Sequence, residues 1–342
     1  MLKSLIRPGA QRIAVAQPLS GIGDMIWHLP HIRALSRHFG RKLTLIANVR
    51  TIADQLFKAD DAVEDVLFFE RRPKGRRGRH DGLIGMARLA TALRAGRFDA
   101  FVLLHHGHTL AFAALAAGIP ERLGYGVGRQ RLFLNRRPYL GAESMRLHPF
   151  ERASAWLDAA GIELADAEPR LAISPDSVAR ARLFLGEVEA RPVALGIGAS
   201  EPFKQWGAQR FTELAALLID EGWPRLVLIG GKAEEALAQE IRARLGAKAN
   251  RVLSSIGWEI ADVAALLSLS VFYIGNDTGF LNMAAATGRR SFGLFGGTPP
   301  FFHSRNIVAI MPPDGRPDKT GGMARIAAAA AAAAVKAEGL AP

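Results

Sequence analysis

Cysteine is missing from the 342 residues, which rules out disulfides, thiolate metal sites and a cysteine nucleophile. Its absence accords with a reducing compartment. Long apolar runs are missing too. No stretch of about 18 apolar residues free of charge occurs, so no segment is expected to span a bilayer. The eight consecutive alanines Ala327 to Ala334 read as a terminal helix, because alanine is the best helix former but only weakly hydrophobic. Met1 to Pro8 lacks the apolar core and small-residue cleavage site of a signal peptide. Acidic residues are in short supply: 32 against 44 basic ones, a formal charge of +12.

What is present fits a folded globular chain, 49% hydrophobic and 22% charged, with 35 glycines to punctuate loops. The length suits two domains rather than one core. Positive charge concentrates in Arg71-Arg72-Pro73-Lys74-Gly75-Arg76-Arg77-Gly78-Arg79, six basic residues in nine positions. Such a run is either a solvated loop or an anion-binding surface for nucleic acid, an anionic membrane face or a phosphorylated acceptor. No aromatic residue interleaves with it, which argues against stacking on single strands.

Strand-like and helix-like segments alternate. In the first half, strands are expected at Arg12–Gln17, Lys42–Ala47, Glu64–Phe69 and Asp99–Leu104, with helices at Asp24–His38, Asp81–Ala95 and Phe150–Ala160. A polar, proline-containing stretch, Asp166 to Arg170, follows. Beyond it the expected strands are Pro192–Ile197, Arg225–Gly230, Arg251–Ser254, Val271–Gly275 and Ser291–Phe295. Helices are expected at Gly207–Glu221, Ala233–Leu245, Glu259–Leu267 and Gly279–Ala286, and the alanine helix at Met323–Ala337. This alternation implies parallel sheets built from crossover units, and an α/β fold. The expected division is residues 1–165 as a first Rossmann-like domain, 166–176 as linker, 177–322 as a second Rossmann-like domain, and 323–342 as helix and tail.

Parallel sheets bind ligands at the carboxyl ends of their strands. After the first strand comes Pro18-Leu19-Ser20-Gly21-Ile22-Gly23-Asp24, where Gly21 and Gly23 allow close backbone approach and the helix start offers free N–H groups. Asp24 is a helix cap or a catalytic base; spacing alone favours the cap. Ser200 and Lys204 follow the strand ending at Ile197 and could meet a phosphate. Gly230-Gly231 leads to Glu234, suited to ribose hydroxyls and equally to a first helical turn. Gly275-Asn276-Asp277-Thr278-Gly279 runs from strand into a small-residue helix whose first N–H groups suit a pyrophosphate. His105, His106 and His108 crowd one loop; solvated or acceptor-facing histidines are favoured there over a metal site.

In this order, these loops resemble glycosyltransferase family 9, the heptosyltransferases of lipopolysaccharide core assembly. The matching residues are Gly23-Asp24 through Leu29-Pro30, His148-Pro149-Phe150-Glu151-Arg152, and Lys204-Gln205-Trp206 with Phe211 and Leu214. They continue through Gly230-Gly231 and Glu234, Asp277-Thr278-Gly279 with Ala284-Ala285-Ala286 and Gly288, and Leu294-Phe295-Gly296 with Thr298 and Pro300. The resemblance implies a GT-B architecture, two Rossmann-like domains facing each other across a cleft, closing about the linker. It implies an inverting transferase that takes ADP-heptose or a related nucleotide sugar, uses no cofactor and needs no metal. It makes Asp24 the general base and assigns donor binding to Ser200, Lys204, Glu234, Trp258, Asp277, Thr278, Gly279 and Asn282, with Gly21 and Gly23 in the phosphate or acceptor loop. Asn282 stands where the family typically has histidine, and Gln17-Pro18 where a basic residue is common. The implied partners are a nucleotide sugar, a phosphorylated glycolipid or glycan acceptor and an anionic membrane surface, not nucleic acid. The implied location is the cytoplasm, peripheral to the inner face of the membrane. A nucleotide-sugar epimerase of the same fold, a basic nucleic-acid or membrane-surface binder, and a transferase that has lost activity are the alternatives.

Overall fold

The computed structural model describes residues 5–71, 77–186 and 191–342; the middle of the basic run, 72–76, lies outside them. Chain contacts divide the protein into two compact units, Met1–Ala167 and Glu168–Pro342.

The first unit holds β1 (Ile13–Gln17), α1 (Ile22–Phe39), β2 (Leu43–Asn48), α2 (Ala53–Leu56), β3 (Val63–Phe69) and α3 (Gly82–Ala95). It continues with β4 (Ala100–Leu103), α4 (Thr109–Ala116), β5 (Glu121–Gly124) and α5 (Pro149–Ala159). Its sheet runs β3-β2-β1-β4-β5, every pair parallel. Every residue of β1, β2 and β4 is buried, as expected for parallel strands with both faces covered. Helix α1 starts at Gly21 and stops at Gly40, whose φ of 64° and two backbone hydrogen bonds close the last turn.

The second unit holds α6 (Pro175–Leu185), β6 (Val193–Gly196), α7 (Ala208–Asp220), β7 (Leu226–Ile229), α8 (Glu235–Leu245), β8 (Val252–Ser254) and α9 (Ile260–Leu269). Then come β9 (Phe272–Asn276), α10 (Gly279–Ala286), β10 (Arg290–Leu294), β11 (Ile307–Ile310) and α11 (Ala328–Ala337). Its all-parallel sheet runs β11-β10-β9-β6-β7-β8. In α7 the buried side chains Phe211, Leu214, Ala215, Leu218 and Ile219 recur at helical spacing. Burying each large one contributes about 1.5–3 kcal/mol. The alanine helix α11 packs on α7 through Ala328, Ala331, Ala332 and Val335. Edge-on aromatic pairs, Trp223–Phe272 at 5.1 Å and Phe272–Phe292 at 5.6 Å, belong to the same core.

Helix α6 begins at Pro175, inside the stretch expected to be linker, and α2, α4, β5 and β11 are additional to the expected elements. Among the described residues, no helix is long and apolar enough to cross a membrane.

Each sheet has one reversal of strand order. In the first unit the chain lays β2 and β3 on one side of β1 and β4 and β5 on the other; in the second, β7 and β8 lie on one side of β6 and β9 to β11 on the other. A crevice opens at the carboxyl ends of the strands flanking such a reversal. It lies at β1/β4 in the first unit and at β6/β9 in the second.

Candidate active site

At the β1/β4 reversal, Asp24 is the third residue of α1, and Gly21, not Asp24, is the capping residue. The Asp24 carboxylate still accepts a hydrogen bond from the Gly21 N–H at 3.0 Å, so it ties down the first turn while remaining half-buried. A Cβ on Gly21 would lie 2.7 Å from Asp24 Oδ2, so the absence of a side chain there lets that carboxylate fold back on the N-cap. Beneath it, His28 donates from Nδ1 to the Asp24 carbonyl at 2.7 Å, with Gln17 Nε2 at 3.4 Å from the same oxygen. His28 and Gln17 are fully buried. Burial pulls the His28 pKa down to about 4, so the ring is a neutral hydrogen-bonding wedge.

The histidines after β4 sit beside this group. Gly107 N–H donates to His105 Nδ1 at 2.9 Å, and the His105 and His106 rings lie 4.3 Å apart. Burial first, then His106 and the Arg152 guanidinium, lower His105 to about 3; burial and Arg152 lower His106 as well. Arg152 is itself buried, its guanidinium donating to the carbonyls of Ser144, Met145 and Leu147 and to His106 Nδ1. Burial, reinforced by this buried cation, thus disfavours protonation of both histidines. Sequence reasoning missed His28 and left Arg152 without a role; burial, which one sequence does not display, is the signal that reveals them. Among the described residues, no group of three or more His, Asp or Glu side chains is placed to hold a metal ion. A pocket of about 520 Å³ opens along the carboxyl edge of this sheet, lined by Ser20, Asn48, Arg50, Arg71, His105 and Thr109 among others.

At the β6/β9 reversal the second unit brings together Lys204, Asp277, Thr278 and Gly279. Lys204 Nζ lies 2.5 Å from Asp277 Oδ2, and Thr298 donates to the same oxygen at 3.0 Å. The two loops are locked by Asn276, fully buried, whose amide donates to the carbonyls of Ile197 and Gly198. Thr278 caps α10 without using its hydroxyl on the helix, and the first N–H groups of a helix have no intrahelical acceptor. Tyr273 lies beside this helix start, fully buried; burial pushes its phenol above the usual range. Glu234 accepts from the Gly231 N–H at 2.8 Å and sits 3.5 Å from where a Cβ on Gly198 would lie, beside the β6 loop.

Other expected residues are placed less directly. Ser200 is exposed on the β6 loop. Trp258, half-buried, packs edge-on against Phe184 of α6 at 4.4 Å. Asn282 is buried and donates to the Thr278 carbonyl at 3.0 Å, so its amide reinforces the first turn of α10. Trp206, Phe211 and Leu214 belong to the core, with Trp206 Nε1 donating to the Ile326 carbonyl.

Residues 86–309 match the model of glycosyltransferase family 9 (heptosyltransferase). Lipopolysaccharide heptosyltransferase 2 of Escherichia coli (strain K12) is 26% identical over 240 residues, 66% of this chain and 68% of that one. Among solved structures, E. coli ADP-heptose lps heptosyltransferase II superposes with a TM-score of 0.75 at 23% identity, over 96% of this chain and 98% of that one. E. coli heptosyltransferase WaaC with ADP-2-deoxy-2-fluoro heptose gives 0.72 at 20% identity, over 96% and 100%. The fold is that of these heptosyltransferases, the GT-B α/β architecture. With the family model spanning well over half its length, the chain belongs to glycosyltransferase family 9, the heptosyltransferases, and is a glycosyltransferase.

Proposed function

We propose that this enzyme moves a heptose or closely related sugar from ADP-heptose to a lipopolysaccharide core or similar phosphorylated glycolipid, with inversion and without an essential metal. The observation that carries the reading is the Lys204–Asp277 pair at the N-terminus of α10, on the β6/β9 reversal. A cation and a helix N-terminus converging there suit a nucleoside diphosphate. The relatives' donors, ADP-heptose and an ADP-heptose analogue, have that chemistry.

In the reaction, Asp24 takes the proton from an acceptor hydroxyl as its oxygen attacks the anomeric carbon. The bond from that carbon to the diphosphate oxygen breaks, and ADP leaves with the electron pair. Lys204, Ser200 and the N–H groups of Thr278 and Gly279 stabilise the charge that develops on the diphosphate. Asp277 orients Lys204, Glu234 accepts from the ribose hydroxyls, and Trp258 walls the base. Asn282 holds the α10 turn. The pocket along the first sheet takes the acceptor, with Arg50 and Arg71 meeting its anionic groups.

The acceptor's lipid places the enzyme peripherally on the cytoplasmic face of the membrane. Supporting this, Arg77 and Arg79 are exposed, and Leu83 and Ile84 at the start of α3 are 92% and 72% exposed. Basic and apolar groups in sequence suit an anionic bilayer. A thermal-shift panel of nucleotide sugars and nucleoside diphosphates tests the donor assignment. ADP-heptose and ADP should raise Tm more than their UDP and GDP counterparts; preference for another base would overturn ADP-heptose as donor.

A further inference from the structure

Beneath the diphosphate cradle lies a tyrosine whose oxygen core packing does not explain. Tyr273 points along the face of β9 toward its carboxyl end, over Gly275 and over Gly196, which pair in register across β6 and β9. A Cβ at Gly196 would fall 1.8 Å from the Tyr273 hydroxyl oxygen, and one at Gly275 would fall 2.7 Å from it and 2.3 Å from the Gly196 carbonyl. Two central strands thus surrender their side chains, where they approach the ligand edge, to make a slot for one phenol.

The Tyr273 hydroxyl is fully buried and completes no hydrogen bond of normal geometry among the described residues, and the same holds for the Thr278 hydroxyl. A buried hydroxyl whose hydrogen bond is incomplete keeps much of its desolvation penalty, and a phenylalanine would fill the slot without incurring it. Thr278 is equally out of character: a capping threonine ordinarily accepts from the second or third helical N–H, and this one does not. The Tyr273 and Thr278 hydroxyls face each other without reaching normal hydrogen-bond geometry, and a third group at the helix N-terminus would complete the pair.

We propose that Tyr273 is a positioning residue for the donor's diphosphate. This rests on the assignment of α10 as the nucleoside-diphosphate cradle. When a diphosphate occupies the cradle, the Tyr273 phenol donates to Thr278 Oγ1, and the Thr278 hydroxyl donates to a phosphate oxygen. The glycine slot fixes the phenol, the phenol fixes the rotamer of Thr278, and of the two hydroxyls only that of Thr278 touches the ligand. With no ligand bound the chain of hydrogen bonds is incomplete, so the phenol contributes to affinity rather than to stability.

ADP titration calorimetry and ligand-free melting on the wild type, Tyr273→Phe, Thr278→Val and the double variant test this. Tyr273→Phe should weaken ADP by about 5–10-fold, the size of one hydrogen bond, with Tm of the free protein unchanged or higher. The Tyr273→Phe loss should vanish in the Thr278→Val background, while Thr278→Ser retains affinity. Unchanged ADP affinity in Tyr273→Phe, a lowered Tm, or losses that add in the double variant would overturn the role of Tyr273 and leave the cradle standing. A wild type that binds no nucleoside diphosphate would instead remove the cradle, and the tyrosine's role with it.

Discussion

Asp24 owes its position to a neighbour with no side chain. Because a Cβ on Gly21 would press on the Asp24 carboxylate from 2.7 Å, Gly21→Ala should push that carboxylate out of place without unfolding α1, whose N-cap tolerates alanine at a cost of about 1 kcal/mol or less. Turnover should fall roughly 10-fold or more, with ADP affinity unchanged; a kinetic assay beside calorimetry checks it. This coupling was half legible. Gly21, Gly23 and Asp24 stood out in the sequence as a loop entering a helix, but the sequence could not decide between cap and base. The structure makes the alternatives less opposed, since the carboxylate accepts a capping-type hydrogen bond while half-exposed. Asn282 pairs roles in the same way: its amide donates to the Thr278 carbonyl, at the turn where donor contact is expected.

Among the elements, the buried parallel strands were legible because continuous apolar runs leave little choice. α10 falls at Gly279–Ala286 as expected, its start marked by glycine after a strand and its body by small residues. β5 was not legible: Glu-Arg-Leu-Gly has two charged residues, and Glu121 is buried with Arg136 and the Arg7 N–H, both from other segments, donating to it. α4 was hidden by uniformity, since Thr-Leu-Ala-Phe-Ala-Ala-Leu-Ala offers no polar face to set a period. The Gly196–Gly275 slot was invisible because it depends on register between strands distant in sequence. That register makes a prediction for the sheet. Gly196→Ala forces a methyl against the Tyr273 ring and oxygen and should destabilise the second unit by about 1–3 kcal/mol, the usual cost of overpacking. Urea unfolding measures it; an unchanged midpoint would contradict the tight slot.

For the whole molecule, acid sensitivity should be uneven. Eight of the nine histidines lie in Met1–Ala167, the ninth being His303. His28, held at about 4 chiefly by burial, binds its proton more weakly in the fold than in the unfolded chain, where about 6.5 is usual. The unfolded state therefore takes up more protons between those values. Stability is complete above about pH 6.5 and falls toward pH 4, by up to about 1.4 kcal/mol per pH unit for such a group. Hydrogen exchange at pH 7.5 and 5 should show amides of the first unit losing protection first; earlier loss in the second unit would contradict this. The net charge of +12 makes a second prediction at this scale. Neutralising Arg71, Arg72, Arg76 and Arg77 together should reduce flotation with anionic vesicles at low salt, and equal flotation would remove the membrane contact.

The assignment of Asp24 as the base is tested most directly by following glycosyl transfer from ADP-heptose to a phosphorylated core glycolipid, by mass spectrometry, for the wild type and Asp24→Asn, with ADP affinity measured on both. The expected result is a product heavier by one heptose from the wild type, turnover lowered at least ~10²-fold in the variant, and ADP affinity the same in each. Undiminished turnover in Asp24→Asn, or a loss of turnover matched by an equal loss of ADP binding, would contradict it.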